Sequence, residues 1–369
     1  MNEDRATRYH RLSRRATVVS AAAGTGALGL LLLGGSRVLR DAASAMSEAG
    51  PSAPSTVALY ALALVLGYHA LRLPLAFYQG FVLERRYGLS SESRRAWLLD
   101  YFRAALLIVV LAVAAAEIVY ITMQLWPKWW WAAAGAVFVG LLIVLARVAP
   151  VVLLPLFYRF EPLDREALRA RLVALSERAR LPVLGIYVWG LGQKTRRANA
   201  ALIGTGPTRR ILLSDTLLAD YSDDEIEVIL AHEMAHHAYG DIRRWLVIES
   251  ILLAGILALG ATVLDRVWRS FGLTGPADVA GLPLLFLTAM VVSMSAAPIL
   301  NALSRRNERR ADRYALKLTG RPEAFISAMR RLAAQNLAEA RPSRLTLWLF
   351  HSHPPIDERI ERARQLTGR

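Results

Sequence analysis

The chain contains no cysteine and almost no lysine. Without cysteine it can form neither disulfides nor thiolate metal sites, and the composition fits a reducing compartment. Lysine occurs only at Lys128, Lys194 and Lys317, so the formal charge of +15 comes almost wholly from arginine. No basic stripe is interleaved with aromatic residues in a recognisable module, which argues against a nucleic-acid partner.

Long apolar runs dominate the rest of the sequence. Hydrophobic residues make up 54% of the 369 residues, which is unusual for a soluble domain of this size. Six runs are long enough to cross a bilayer, which takes about 20 residues: 16–35, 56–83, 100–126, 129–157, 244–264 and 280–303. The first follows several arginines, as in a signal peptide, but no small-residue cleavage site lies at the expected place, so we interpret it as a retained span. The sequence therefore predicts a multi-pass α-helical membrane protein embedded in a lipid bilayer.

The arginines also predict an orientation. They cluster in the N-terminal tail and in loop 84–99, whereas the alternate loops carry few cationic residues. Because cytoplasmic loops are enriched in Lys and Arg, both termini, loop 84–99 and the polar region 158–243 are expected to face the cytoplasm. An even number of spans agrees with this. The arginine-rich, cysteine-free composition favours a bacterial cytoplasmic membrane.

The polar region 158–243 ends in the pentapeptide His232-Glu233-Met234-Ala235-His236. On an α-helix, two histidines four residues apart lie on one face and can bind the same tetrahedral zinc ion. Glu233 could then face a coordinated water and act as a general base. The preceding Ser222-Asp223-Asp224-Glu225 is typical of a capped helix N-terminus with an acidic first turn.

The HExxH pattern arises by chance in roughly one chain in a hundred of this length. Here it lies on a predicted helix, and a second acidic pair, Glu308 and Asp312, follows on another helix. Both facts favour a metal site over an incidental pair of histidines. His237 is rotated about 100° from His236, and Glu249 would lie about 220° from it on a straight helix, so neither is expected to bind the metal.

The polar region also predicts a small α+β unit. A helix is expected at 163–180, and strands at 183–189, 198–203 and 210–213. An edge strand of such a sheet could hold an extended peptide beside the metal helix. The strands could equally serve only to pack against that helix. The predicted organisation is an N-terminal membrane domain of four spans at 1–157, an α+β region at 158–243, two further spans at 244–304, and a C-terminal part at 305–369.

Several motifs together resemble the type I CaaX prenyl endopeptidase family of integral-membrane zinc metalloproteases, which are gluzincins. Residues 84–90, Glu-Arg-Arg-Tyr-Gly-Leu-Ser, are similar to the family's E-x-x-Y-G-hydrophobic-S signature. Asn199-Ala200 and the segment 210–218 resemble its substrate-edge strand and D-T-L-L segment. HExxH, the Glu308 and Asp312 motif, and His353-Pro354-Pro355 follow in the family's order.

The resemblance implies six to seven spans, arranged around a chamber, with a gluzincin-type α+β protease domain. The seventh span would be the helix with the HExxH motif or the apolar stretch Leu345 to Phe350, or it would be missing from this chain. The resemblance also implies that His232, His236 and Glu308 bind one zinc ion per chain, with Glu233 as the general base. The substrate would be a membrane-associated or hydrophobic peptide or protein.

Five further residues receive roles from the resemblance alone. Asp312 would orient a histidine ligand, as the partners of metal ligands commonly do. His353 and Arg359 would lie beside the tetrahedral intermediate and stabilise its oxyanion. Asn199 and Ala200 would bind the substrate backbone.

The sequence is compatible with three alternative functions. An HtpX-like quality-control protease shares HExxH and the later acidic motif but lacks the signature at 84–90. A site-2-type intramembrane protease has its HExxH within an apolar span, whereas acidic residues precede the motif here. A non-catalytic zinc-binding scaffold or transporter would not require a carboxylate at Glu233. No feature of the sequence identifies a prenyl group as part of the substrate.

Overall fold

Helices make up most of the chain in the computed structural model, which describes residues 4–204, 206–339 and 341–366. The N-terminal membrane part contains α1 (Arg5–Leu30), α2 (Ser36–Ser47), α3 (Pro54–Phe77), α4 (Glu84–Arg86), α5 (Arg94–Leu125), α6 (Trp130–Val148) and α7 (Leu154–Phe157). Turns of π-helix join α1 to α2, α3 to α4 and α6 to α7. Gly34 kinks the first of these turns, and its φ of 149° is a conformation that glycine adopts readily.

The rest of the chain contains a small sheet and eight helices within its described residues. The sheet region comprises β1 (Phe160–Pro162), α8 (Glu166–Arg178), β2 (Gly185–Trp189), β3 (Ala200–Ile203), β4 (Arg210–Ser214), α9 (Asp215–Asp220) and α10 (Asp223–Ala238). It is followed by α11 (Asp241–Val267), α12 (Leu282–Thr319), α13 (Pro322–Gln335), α14 (Arg344–Phe350) and α15 (Ile356–Leu366).

Six helical segments are long and apolar enough to cross a membrane, which confirms the predicted multi-pass fold. They are Arg5–Ser47, Pro54–Arg86, Arg94–Leu125, Trp130–Val148, Asp241–Phe271 and Val279–Thr319. Neither proposed seventh span is among them. Helix α14 has seven residues and reaches only about 10 Å, and α10 packs under the sheet.

A buried ion pair joins the spans at the end away from the sheet. Arg40 of α2 donates to Asp278 at 2.5 Å, and the side chain of Asp278 is fully buried. Asp278 also accepts from the backbone N–H groups of Thr274 at 2.8 Å and Ala280 at 3.0 Å. With its charge paired and hydrogen-bonded, this carboxylate fixes the turn before α12 against α2.

The sheet has the strand order β1-β2-β4-β3, with β2 parallel to β4 and the other pairs antiparallel. Three of its strands lie where the sequence predicts them; β1 is an addition. Leu168 and Leu172 of α8, Ile211 of β4 and Leu230 of α10 form its buried core. Strand β3 is therefore an edge strand, and it lies next to α10, the helix with the HExxH motif.

The signature at 84–90 connects the membrane part to the segment that precedes β3. The Glu84 carboxylate accepts from the Tyr9 hydroxyl and from Arg197 at 2.9 Å. The Leu89 carbonyl accepts from the Arg196 backbone N–H and from the Thr195 hydroxyl, both at 2.9 Å. These contacts between distant parts of the chain fix the approach to the edge strand.

Candidate metal centre

A capping box stabilises the N-terminus of helix α10. Ser222 accepts from the Glu225 backbone N–H at 3.3 Å, and the Glu225 carboxylate accepts from the Ser222 backbone N–H at 2.8 Å. This reciprocal capping box satisfies two donors that a helix otherwise leaves free. Burial raises the pKa of Glu225, but hydrogen bonds from Ser327 and Ser222 outweigh burial and lower that pKa. The capping box therefore fixes the residue at which α10 begins.

His232 and His236 of α10 meet Glu308 of α12. One ligand atom from each residue can be chosen so that the three lie within 4.8 Å of one another. Nε2 of His232 is 3.3 Å from Oε2 of Glu308, and Nε2 of His236 is 3.4 Å from Oε1. Both imidazoles thus direct the same nitrogen toward one carboxylate.

A carboxylate supports His232 on its other nitrogen. Nδ1 of His232 is 2.9 Å from Oδ1 of Asp312, one turn after Glu308 on α12. Arg359 of α15 donates to both oxygens of Asp312, from Nε at 2.9 Å and from Nη2 at 2.5 Å. A carboxylate at this distance favours a proton on Nδ1, which would leave Nε2 free as a ligand, and the contacts with Arg359 hold the Asp312 carboxylate in place.

His236 has the same kind of support from Asp241, a residue that sequence reasoning missed. Nδ1 of His236 is 3.0 Å from Oδ2 of Asp241, whose other oxygen accepts from Arg310. Asp241 is the first residue of α11 and follows Gly240, whose φ of +67° turns the chain between the two helices. The signal in the sequence that could have identified Asp241 is its position directly after a glycine, shortly after the second histidine.

The donor set fits a metal ion. Oε2 of Glu308 is buried and accepts no hydrogen bond of good geometry from the described residues. Burial lowers the pKa of His232, but the contacts with Asp312 and Glu308 outweigh it and raise that pKa to about 10. The carboxylates thus favour positive charge at the centre of the cluster. Two imidazole Nε2 atoms and a carboxylate are also a ligand set that a catalytic metal commonly uses.

The other predicted residues surround this cluster at different depths. Burial raises the pKa of Glu233, partly opposed by the neighbouring His232 and His236. His353 lies at the open side: its side chain is 66% exposed, with Nδ1 2.9 Å from Oε2 of Glu308. His237 points away from the cluster and contacts the Leu202 carbonyl at 2.7 Å. The structure therefore separates His237 from the three ligand candidates.

The edge strand presents a specific set of backbone groups. Asn199 is paired with β4: its N–H donates to Ser214 Oγ and its carbonyl accepts from the Ser214 N–H, both at 2.9 Å. Because bonding direction alternates along an antiparallel strand, Ala200 and Leu202 direct their backbone groups away from β4. The Leu202 carbonyl already contacts the ring of His237. Of the two predicted substrate residues, Ala200 has outward backbone groups without a hydrogen bond to any other described residue, and Asn199 offers only its exposed side chain.

Family models match nearly the whole chain. One, described as peptidase family M48, matches residues 162–367, and another, described as the CAAX prenyl protease N-terminal region with five membrane helices, matches residues 3–159. The structure has four candidate spans in the described part of that second region. The match to an N-terminal membrane region disfavours the HtpX-like alternative.

Curated relatives agree with the family models. A Bacillus subtilis protein described as uncharacterized metalloprotease YhfN is 30% identical over 77% of this chain and 68% of that protein. The CAAX prenyl protease 1 homolog of Arabidopsis thaliana is 28% identical over 80% of this chain and 70% of that protein. For CAAX prenyl protease 1 of Saccharomyces cerevisiae, the values are 27%, 78% and 67%.

The fold is also that of a solved structure. The crystal structure of S. mikatae Ste24p aligns with a TM-score of 0.86 and 21% sequence identity, over 97% of this chain and 88% of that one. This alignment confirms the fold, and the matched models and curated relatives confirm the family and enzyme class that the motifs predict. The chain belongs to peptidase family M48 and, within it, to the membrane-integrated CaaX prenyl protease group of metalloendopeptidases.

Proposed function

We propose that the chain is a zinc endopeptidase that hydrolyses membrane-associated or hydrophobic peptides at the cytoplasmic surface of a membrane. The observation that carries this proposal is the meeting of His232, His236 and Glu308 beside a free edge strand. Each histidine is supported on Nδ1 by a carboxylate, as a preorganised metal ligand requires. The arginine distribution supports the cytoplasmic orientation.

In this proposal His232, His236 and Glu308 hold one Zn²⁺ per chain. Zinc, when bound, supplies a water of lowered pKa and polarises the scissile carbonyl. Asp312 and Asp241 keep the protons of the two histidines on Nδ1, so that both Nε2 atoms remain ligands. The two carboxylates thereby stabilise the ligand geometry before substrate arrives.

Glu233 is the proposed general base. It accepts the proton of the attacking water and passes it to the leaving amine, which suits a carboxylate whose pKa burial has raised. His353 is exposed beside Glu308 and can turn to donate a hydrogen bond to the developing oxyanion. Arg359 is buried with its guanidinium on Asp312, so the contacts favour a positioning role for it.

Strand β3 is the proposed substrate platform. An extended peptide laid along it would exchange backbone hydrogen bonds with Ala200, and the Asn199 side chain could add one more. The signature contacts between Leu89 and Arg196 fix the chain that leads into this strand. The substrate backbone would then run next to α10 and the ligand histidines.

The proposed substrate class includes prenylated CaaX peptides, because several relatives are named for that activity. The candidate ligands lie close to two of the candidate spans: α11 begins at Asp241, shortly after His236, and α12 continues from its apolar part to Glu308. A substrate held by a lipid anchor would therefore arrive at the correct depth. Unmodified apolar peptides are the alternative class.

The test is cleavage of two quenched peptides by detergent-purified protein, one farnesylated CaaX peptide and one unmodified apolar peptide. Glu233→Gln should retain zinc and lose at least about 10²–10⁴-fold in turnover, the usual contribution of a general base. Glu166→Gln, an exposed neutralisation on α8, is the matched control and should remain active. Equal turnover by Glu233→Gln and the control on both peptides would refute the proposed function.

A further inference from the structure

A cleft of about 440 Å³ lies between the beginning of α11 and the C-terminal half of α12. Four arginines line it: Arg244 on α11, and Arg306, Arg310 and Arg313 on α12. The three on α12 are spaced four and three residues apart, so they project from one face of the helix. The cleft is separate from the edge strand and from the open side of the metal centre at His353.

The cleft contains more positively charged groups than negatively charged ones. Arg310 donates to Asp241, and Arg244 lies 3.6 Å from the same carboxylate. Arg306 and Arg313 are exposed and have no ionic partner in the described part of the chain. Four guanidinium groups therefore share one carboxylate, which leaves a net charge of about +3.

The cleft also has an apolar end. Ile248 of α11 and Leu303 of α12 line it toward the bilayer, each within or beside a predicted span. Trp245, also in the lining, is a residue type that prefers the membrane–water interface. Along α12, the lining changes from apolar at Leu303 to cationic at Arg306 and beyond. Such a gradient matches a molecule with an anionic head and an apolar body.

We propose that this cleft binds one anionic phospholipid, with its phosphate among the arginines and its glycerol and upper acyl chains against Ile248, Leu303 and Trp245. Guanidinium groups bind phosphate oxygens through paired hydrogen bonds. A choline headgroup adds a cation that the arginines repel, so the cleft should prefer a lipid with net negative charge. Basic pockets between spans on the cytoplasmic side are typical sites for anionic headgroups. A soluble phosphate would use the arginines but leave the apolar end unfilled.

The test uses the full chain, purified in detergent and stripped of lipid. Binding of phosphatidylglycerol and of phosphatidylcholine is measured by native mass spectrometry. The variant Arg306→Gln/Arg313→Gln removes two charges and spares Arg244 and Arg310, which contact Asp241. The matched control, Arg266→Gln/Arg269→Gln, removes two exposed charges, one in the last turn of α11 and one just beyond it, at the end opposite the cleft.

Wild type and control should prefer phosphatidylglycerol, and the cleft variant should bind it about 25-fold more weakly, from about fivefold per arginine. Arg306→Lys/Arg313→Lys should recover part of the affinity, which distinguishes lost charge from misfolding. Equal binding by the cleft variant and the control would overturn the proposal. Full competition by soluble glycerol phosphate would also overturn it, because the cleft would then be an anion site without a lipid.

Discussion

Replacing Asp241 with asparagine should weaken zinc binding by about 10–100-fold. The Asp241 carboxylate is 4% exposed and accepts from two donors, Nδ1 of His236 at 3.0 Å on one oxygen and Arg310 on the other. Asparagine keeps one of these oxygens and puts an NH₂ group in place of the other, so one buried donor loses its acceptor. An unsatisfied buried donor costs about 1–3 kcal/mol, which corresponds to roughly 5–150-fold in an equilibrium constant.

The assay is competition for zinc between metal-free protein and a chromophoric chelator, with thermal unfolding to show that the variant is folded. Asp265→Asn, an exposed change at the far end of α11, is the matched control and should bind zinc like wild type. If Asp241→Asn is folded and its zinc affinity stays within about twofold of the control, the orienting role is refuted.

Two further predictions concern the capped helix and the edge strand. Because the pKa of Glu225 is lowered in the folded protein, its stabilisation is present above the unfolded value of about 4.3 and is lost as the pH falls through the folded value. Glu225→Gln should therefore lower stability by about 1–2 kcal/mol at pH 7 and by much less near pH 3; thermal melts at both pH values measure this, and a pH-independent difference would contradict it. Ala200→Pro removes the Ala200 N–H, one of the outward-facing donors of β3, and should raise KM up to about tenfold with little change in kcat, since one such bond contributes about 0.5–1.5 kcal/mol. An unchanged KM would argue against β3 as the substrate platform.

Local signals in the sequence were sufficient for the elements that carry the metal centre. The capping residues at 222–225 and the four-residue spacing of the histidines both act within one helix, and α10 begins where they predict. The spans were also predictable, because each must be apolar along its whole length. The helical continuation of the first span to Arg5 was not predicted, since its arginine-rich turns are stabilised by distant contacts such as Tyr9 with Glu84.

Asp241 could not be found from helical periodicity. The angle predicted for Glu249 assumes one straight helix from His236. In the structure α10 ends before Gly240, and α11 begins after it in a new direction. The turn places Asp241 beside His236, a contact that no periodic pattern contains. The pairing of Arg359 with Asp312 is equally non-local, because it joins residues 47 positions apart.

Helix α12 continues without a loop from the bilayer to the metal centre, from Leu282 to Thr319. The histidines that face Glu308 belong to α10, which packs against the sheet. Glu308 lies about 15 Å along the helix from Pro298, so a small tilt or bend of the span would displace its carboxylate. A bilayer thicker or thinner than the span is accommodated by such tilting. We therefore expect the hydrophobic thickness of the membrane to alter the distance between Glu308 and the two histidines, which makes bilayer thickness a variable of metal affinity.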